Sequence, residues 1–367
     1  MPTDSIMLPA RLLTKLLLFI VIVAAAYYGR SVLIPLATAG LLALTFDPLH
    51  ERFKKWGMSG GVSAGACLFI LSLFFAGISF AFGQQASGFA EDWPDIRERG
   101  VEKIEQIKEQ FIPSGMAAQT EESGSTAPKG DQGQSAGQDS TARTPVGSPL
   151  PMPSGSRVTG ALSSTVGILG DFLLMLVYFF LLLTQKNRLR EFVLRRMPDD
   201  ERGETHRAIN ESAEVAQGYL KGQIMLISIL AVLYGIGFSI VGLEYGLLIA
   251  VLAAVFSLIP YLGNIIGGFL ALAVAFAGGG GNTVLIGVII TMSIAQLVES
   301  YILTPLVVGK EVDLNPLVTI VCVVAFTAVW GPIGAVVSIP FTAIFKVLSQ
   351  RIPGMSDYAY LLSDGEE

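Results

Sequence analysis

Residues 245–277 read YGLLIAVLAAVFSLIPYLGNIIGGFLALAVAFA, with no charged side chain anywhere in the run. Midway, Ile259-Pro260-Tyr261-Leu262-Gly263-Asn264 breaks the apolar pattern. The arms on either side, 246–258 and 265–277, hold 13 residues each. That is about 20 Å of helix, whereas a bilayer core of about 30 Å takes about 20 residues. A single kinked crossing would have to keep Pro260 inside a helix with Gly263, Gly267 and Gly268 close behind. A helical hairpin that enters and leaves the membrane on one side accounts better for this punctuation. Residues 317–349 repeat the plan, with arm 317–329, tip Trp330-Gly331-Pro332-Ile333-Gly334 and arm 335–348.

Outward from these two stretches lie ordinary apolar runs, 12–28, 32–49, 62–83, 165–184, 221–241 and 283–303, each able to cross a bilayer as a helix. A composition of 52% hydrophobic and 15% charged residues, with mean hydropathy +0.60, excludes a purely water-soluble chain. The expected fold class is therefore all-α, a polytopic helical membrane protein with six full spans and two opposed re-entrant helical hairpins. The first run, behind Arg11 and Lys15 and ahead of Ala24 to Ala26, has the outline of a secretory signal. With later spans to pack against, it reads as a retained helix. Arg11 and Lys15, then Arg52, Lys54 and Lys55, then Lys186 to Arg196 fall on one side of the membrane, which places both the N- and C-termini in the cytoplasm. In that topology one hairpin opens outward and the other inward, so that their tips are expected to approach near the midplane.

Five regions follow. Residues 1–83 form N-terminal scaffold spans, and 84–164 an extracytoplasmic loop. Within the loop, 91–111 carries Ile96, Val101, Ile104, Ile107 and Phe111 at helical spacing, which predicts an amphipathic helix. The stretch 113–160 is Gly, Ser, Pro, Gln and Thr with almost no apolar content, which predicts disorder and reads as a tolerated insertion. Residues 165–220 hold a span followed by two cytoplasmic amphipathic helices over 187–218, broken at Pro198. Residues 221–349 are the expected transport region, and 350–367 a cytoplasmic tail.

Polar residues inside the apolar segments are the candidate site. Glu299, one helical turn after Gln296, sits in the run 283–303, where a carboxylate costs about 2.5–3.5 kcal/mol to insert. It is a substrate or cation ligand or a group whose protonation couples to transport, or else a neutral, hydrogen-bonded acid that locks helices or one near enough to the surface to reach water; the sequence leaves these open. Ser257, Tyr261 and Asn264 at the first tip offer uncharged donors and acceptors to a small hydroxylated solute. Asp313 and Asn315, ahead of the second hairpin, read as helix N-caps.

Features that would mark an enzyme are missing, and no cofactor is expected. His50 and His206 have no partner at ligand spacing, and Cys67 and Cys322 are single residues in apolar runs, so no metal site or disulfide framework is expected. Gly278 to Gly281 lack the Lys-Ser/Thr of a phosphate loop. The net charge of -6 means little as an average, because most ionisable residues crowd into 84–164 and 185–221, and nucleic acid is not an expected partner.

The runs Tyr219-Leu220-Lys221-Gly222-Gln223, Gly242-Leu243-Glu244-Tyr245 and Ile259 to Gly263 resemble the autoinducer-2 exporter family of bacterial membrane proteins. So do Thr304-Pro305-Leu306-Val307-Val308-Gly309-Lys310, Leu314-Asn315-Pro316-Leu317 and Gly331-Pro332-Ile333-Gly334-Ala335 with Pro340, and more loosely Asp47-Pro48-Leu49. The resemblance implies a multi-pass exporter of small signalling molecules in the bacterial inner membrane. It also implies a homo-oligomer, pentameric where understood, with two hairpins per protomer and an elevator-type movement. Carried over by position, the tips are Pro260 to Asn264 and Gly331 to Gly334. The substrate-binding set is thus Ser257, Pro260, Tyr261, Gly263, Asn264, Gln296, Glu299, Gly331, Pro332 and Gly334. Expected partners are the lipid bilayer, a small polar solute and a coupling ion, proton or sodium. A monovalent cation/proton antiporter and a non-transporting membrane scaffold are the rival readings.

Overall fold

The structure is a computed structural model that describes residues 4–111, 155–259, 262–278, 281–308, 313–352 and 355–364. Among these residues every regular element is helical: α1 (Asp4–Tyr28), α2 (Arg30–Lys55), α3 (Gly60–Phe111), α4 (Gly155–Arg196), α5 (Arg202–Val241), α6 (Gly246–Phe256), α7 (Leu262–Ala277), α8 (Gly281–Val298), a π-helical segment (Glu299–Val308), α9 (Pro316–Arg351) and α10 (Ser356–Leu362). Six are long and apolar enough to cross a membrane: α2, the first part of α3, Leu169–Arg196 of α4, α5, α8 with the start of the π segment, and α9. The first five overlap the expected spans from 32–49 onward. The expected first span lies in α1.

Both interrupted stretches double back. Between α6 and α7 the packing is so tight that a Cβ on Gly263 would sit 1.8 Å from the Phe256 carbonyl oxygen, and one on Gly267 would sit 2.9 Å from the Ala253 Cα. The reversal in α9 falls at Gly331, whose φ of 67° and ψ of -152° suit a residue without a Cβ. Pro332 follows at the first position of the returning arm, where its missing N–H costs nothing. The Phe326 and Phe341 rings come within 6.4 Å, whereas fifteen residues of straight helix would hold them about 22 Å apart. The first arm is anchored by Asn315, whose side chain accepts from the Leu317 N–H at 2.9 Å as an N-cap. Asp313 does something else: its carboxylate pairs with Lys346 on the returning arm at 3.0 Å.

Three boundaries differ from the sequence reading. The amphipathic stretch 91–111 is not a separate helix but the continuation of α3, because 84–90 contains no residue that stops a helix. Helix α4 begins at Gly155, so that 155–160, expected to be structureless, is helical; the rest of that tract, 112–154, lies outside the described residues. The two connecting helices are the end of α4 and the start of α5, parted at Met197–Glu201.

The helices pack as two lobes. Ala39, Ala43, Ala64, Cys67, Leu71, Met175, Phe179 and Leu183 form a core of α2, α3 and α4. A second core joins α5 to α8 through Leu230, Phe238, Ile249, Ala253, Ala271, Val274, Val288 and Ala295. Small residues let the backbones close up, as where Gly287 meets Val241. Helix α5 is the shared wall: α6, α8 and the π segment pack on it, and so do α9 and α2. Ion pairs tie helices together, Lys186 of α4 with Asp47 and, at 2.6 Å, Glu51 of α2, and Arg351 of α9 with Glu211 of α5 at 2.8 Å.

Candidate functional site

The tip of the α6–α7 hairpin carries the candidate site. Because Gly263 has no side chain, the chain turns hard against Phe256 and sets Asn264 in the first turn of α7. From there the Asn264 amide donates to Glu299 Oε2 at 3.2 Å, across 35 residues of sequence. Glu299 opens the π-helical segment, which also contains Pro305. A π turn widens the helix and re-aims the side chains that follow, and such turns recur at functional sites. Asn264 Oδ1 is buried and has no hydrogen-bond partner among the described residues. One acceptor without a donor therefore stands beside a half-buried carboxylate with spare lone pairs.

Ser257 ends α6, with its hydroxyl donating to the Ala254 carbonyl at 2.6 Å, while its own carbonyl receives the Gln223 amide of α5 at 3.4 Å. Gln296 does not face the pair; it donates along its own helix to Ser300 at 3.1 Å. Pro260 and Tyr261 lie outside the described residues. Gly331, Pro332 and Gly334 belong to a different neighbourhood. Gly334 backs onto the Phe326 carbonyl, and Trp330 donates its indole N–H to Ala26 near the end of α1 at 3.0 Å.

The structure thus joins Asn264 and Glu299, with Ser257 nearby, and does not join them to the second tip. Among the described residues helices α6 and α7 make no contact with α9, while α6 and α9 both pack on α5; Pro260 and Tyr261 of the first tip lie outside the described residues. Gln223 was missed as a site residue. A buried amide at the head of the apolar run 222–241 was the available signal. A cavity of about 290 Å³ lies at the base of the α6–α7 hairpin rather than at its tip, bordered by Arg99, Leu243, Glu244, Val274 and Gly278. Among the described residues no group of three or more His, Cys, Asp or Glu is placed to hold a metal ion.

Long apolar helices packed around folded-back helices, with a polar pair set between them, define a multi-pass helical membrane protein. Comparison with known sequences agrees. The chain belongs to the AI-2E family transporter family, whose sequence profile matches residues 16–354. It is 35% identical over 130 residues to YrrI of Bacillus subtilis, covering 35% of this chain and 36% of that one. It is 25% identical over 199 residues to YueF of the same organism, covering 53% of each. With PerM of Escherichia coli K12 it shares 29% identity over 196 residues, 53% of this chain and 55% of that one. YrrI and YueF carry transport-protein names and PerM a permease name. The chain thus spans from about a third to just over half of the length of these curated relatives.

Proposed function

We propose that the protein exports a small polar solute, an autoinducer-2-like signalling molecule, across the bacterial inner membrane, with both termini in the cytoplasm. The hairpins α6–α7 and α9 are re-entrant, one opening outward and the other inward. The solute binds at the tip of α6–α7, on Asn264 and Glu299. The observation that carries this reading is the Asn264–Glu299 contact together with the unpaired Asn264 Oδ1, since buried polar groups without partners cost about 1–3 kcal/mol unless a ligand or water meets them. The common packing of both hairpins on α5 supports an elevator-type step in which α5 to α9 move against a scaffold of α2 to α4. Assembly as a homo-oligomer, pentameric by family resemblance, would hold that scaffold still.

The test is efflux of autoinducer-2 from vesicles containing the purified protein. Replacing both residues, Asn264→Ala with Glu299→Gln, is expected to lower efflux at least about tenfold, equivalent to about 1.4 kcal/mol of lost stabilisation. Undiminished efflux removes the two residues from the site. A second reading, monovalent cation/proton exchange, is favoured by the presence of two acceptors and few donors at the tip. Sodium-driven proton movement in the same vesicles, abolished by Glu299→Gln alone, selects it over solute export.

A further inference from the structure

The far part of α3, residues 87–105, leaves its own lobe and lies across the base of the α6–α7 hairpin. It holds the hairpin at both ends. At the entry, Tyr245 donates its hydroxyl to Asp92 and meets the Phe89 ring edge-on, with centroids 5.4 Å apart. At the exit, Lys103 donates to the Phe276 carbonyl at 2.7 Å and to the Gly278 carbonyl at 3.4 Å. These carbonyls lie at the C-terminus of α7 and just beyond it, where the helix dipole is negative and a cation is favoured. The Lys103 ammonium also stands 5.6 Å from the centre of the Phe276 ring. Between the two grips, Ile96 is only 2% exposed, and Gly100 faces Ala277 so closely that a Cβ there would lie 3.5 Å from the Ala277 Cβ.

These contacts tie the lobe of α2, α3 and α4 to a hairpin whose core belongs to the other lobe. We propose that the outer arm of α3 is a clasp: it fixes the base of the α6–α7 hairpin to the scaffold on the extracytoplasmic side, and Asp92 and Lys103 must release before the hairpin can shift its tip. The proposal rests on the transport reading above and adds to it the contact that governs the step. Polar grips suit the role, because water replaces each bond as it opens.

A reversible cross-link tests it. In a Cys67→Ala/Cys322→Ala background, Gly100→Cys and Ala277→Cys place two Cβ atoms within the separation a disulfide spans. A protease site inserted within 112–154 makes the bond visible, since the cleaved halves stay joined until reductant is added. The full-length protein in vesicles, loaded with autoinducer-2 or challenged with a sodium gradient, is expected to lose at least about nine-tenths of its flux on oxidation and to regain it with reductant. Full cross-linking with flux unchanged overturns the clasp and leaves the transport reading standing. If neither probe moves even through the reduced protein, transport itself fails, and hydrogen exchange over 257–264 then decides. Slower exchange on oxidation, and faster exchange in Lys103→Met with Asp92→Asn, supports the clasp; no change in either overturns it.

Discussion

Glu299 and Asn264 show how one contact turns two unremarkable side chains into a candidate site. Alone, each has an ordinary explanation, the acid as a helix lock and the amide as a hairpin cap. Together they leave an unpaired oxygen beside a carboxylate. Glu299→Gln keeps the shape and can still accept from Asn264, so its effect on flux reports charge rather than folding. Tyr245 presents a different residue-scale case, outside the apolar spans. Its hydrogen bond to Asp92, followed by partial burial and the nearby acids, pushes the phenol up to about 12 from an ordinary value of 10. The raised value means that the folded chain favours the neutral, donating hydroxyl. Any stabilisation from the bond is therefore intact below pH 10 and fades as the pH climbs through about 12. An ultraviolet difference titration of wild type against Tyr245→Phe is expected to place this phenol near 12, and Asp92→Asn to bring it back down.

At the scale of elements, both hairpins depend on glycines, but for different reasons. Gly263 is needed for space: an added methyl would fall 1.8 Å from the Phe256 oxygen, so the α6–α7 tip must open to admit it. Gly331 is needed for backbone conformation, since its φ of 67° and ψ of -152° lie outside the range a side chain tolerates. Gly263→Ala is expected to cost about 3 kcal/mol or more, and Gly331→Ala about 1–3 kcal/mol, both read as lowered thermal midpoints in detergent. Gly268→Ala is the control. Its nearest neighbour, the flexible end of Met292, is 3.5 Å away, and its midpoint should move far less.

For the whole molecule, the decisive question is which ends of the helices face which side. Residues 281–308 form one continuous rod, about 40 Å long, so that its two ends belong on opposite faces of a bilayer. In the proposed topology an impermeant maleimide labels Gly279→Cys from outside intact cells and Lys310→Cys only after the membrane is breached. The reverse pattern would turn both hairpins into plain crossings and remove the elevator step with them. Among the described residues α6 and α9 both pack on α5 without contacting each other, so α5 is the element through which the proposed step would couple them.

Much of this protein was legible along the chain. Spans and their interruptions are local properties: about 20 apolar residues cross a bilayer, and a Pro set among closely spaced Gly disfavours an unbroken helix through it. The helical hairpins at 245–277 and 317–349 were therefore foreseeable, and so were Asn264 and Glu299 as polar residues in the wrong solvent. What the tertiary structure alone decided was who meets whom. That Asn264 finds Glu299, that Gln223 reaches Ser257, that the second tip goes to α1 instead of to the first tip, and that α3 runs on to grip α6–α7 all depend on how helices slide and rotate against one another. Periodicity tells which face of a helix is apolar. Among apolar faces of similar composition, only close packing and the few hydrogen bonds it permits select the partner.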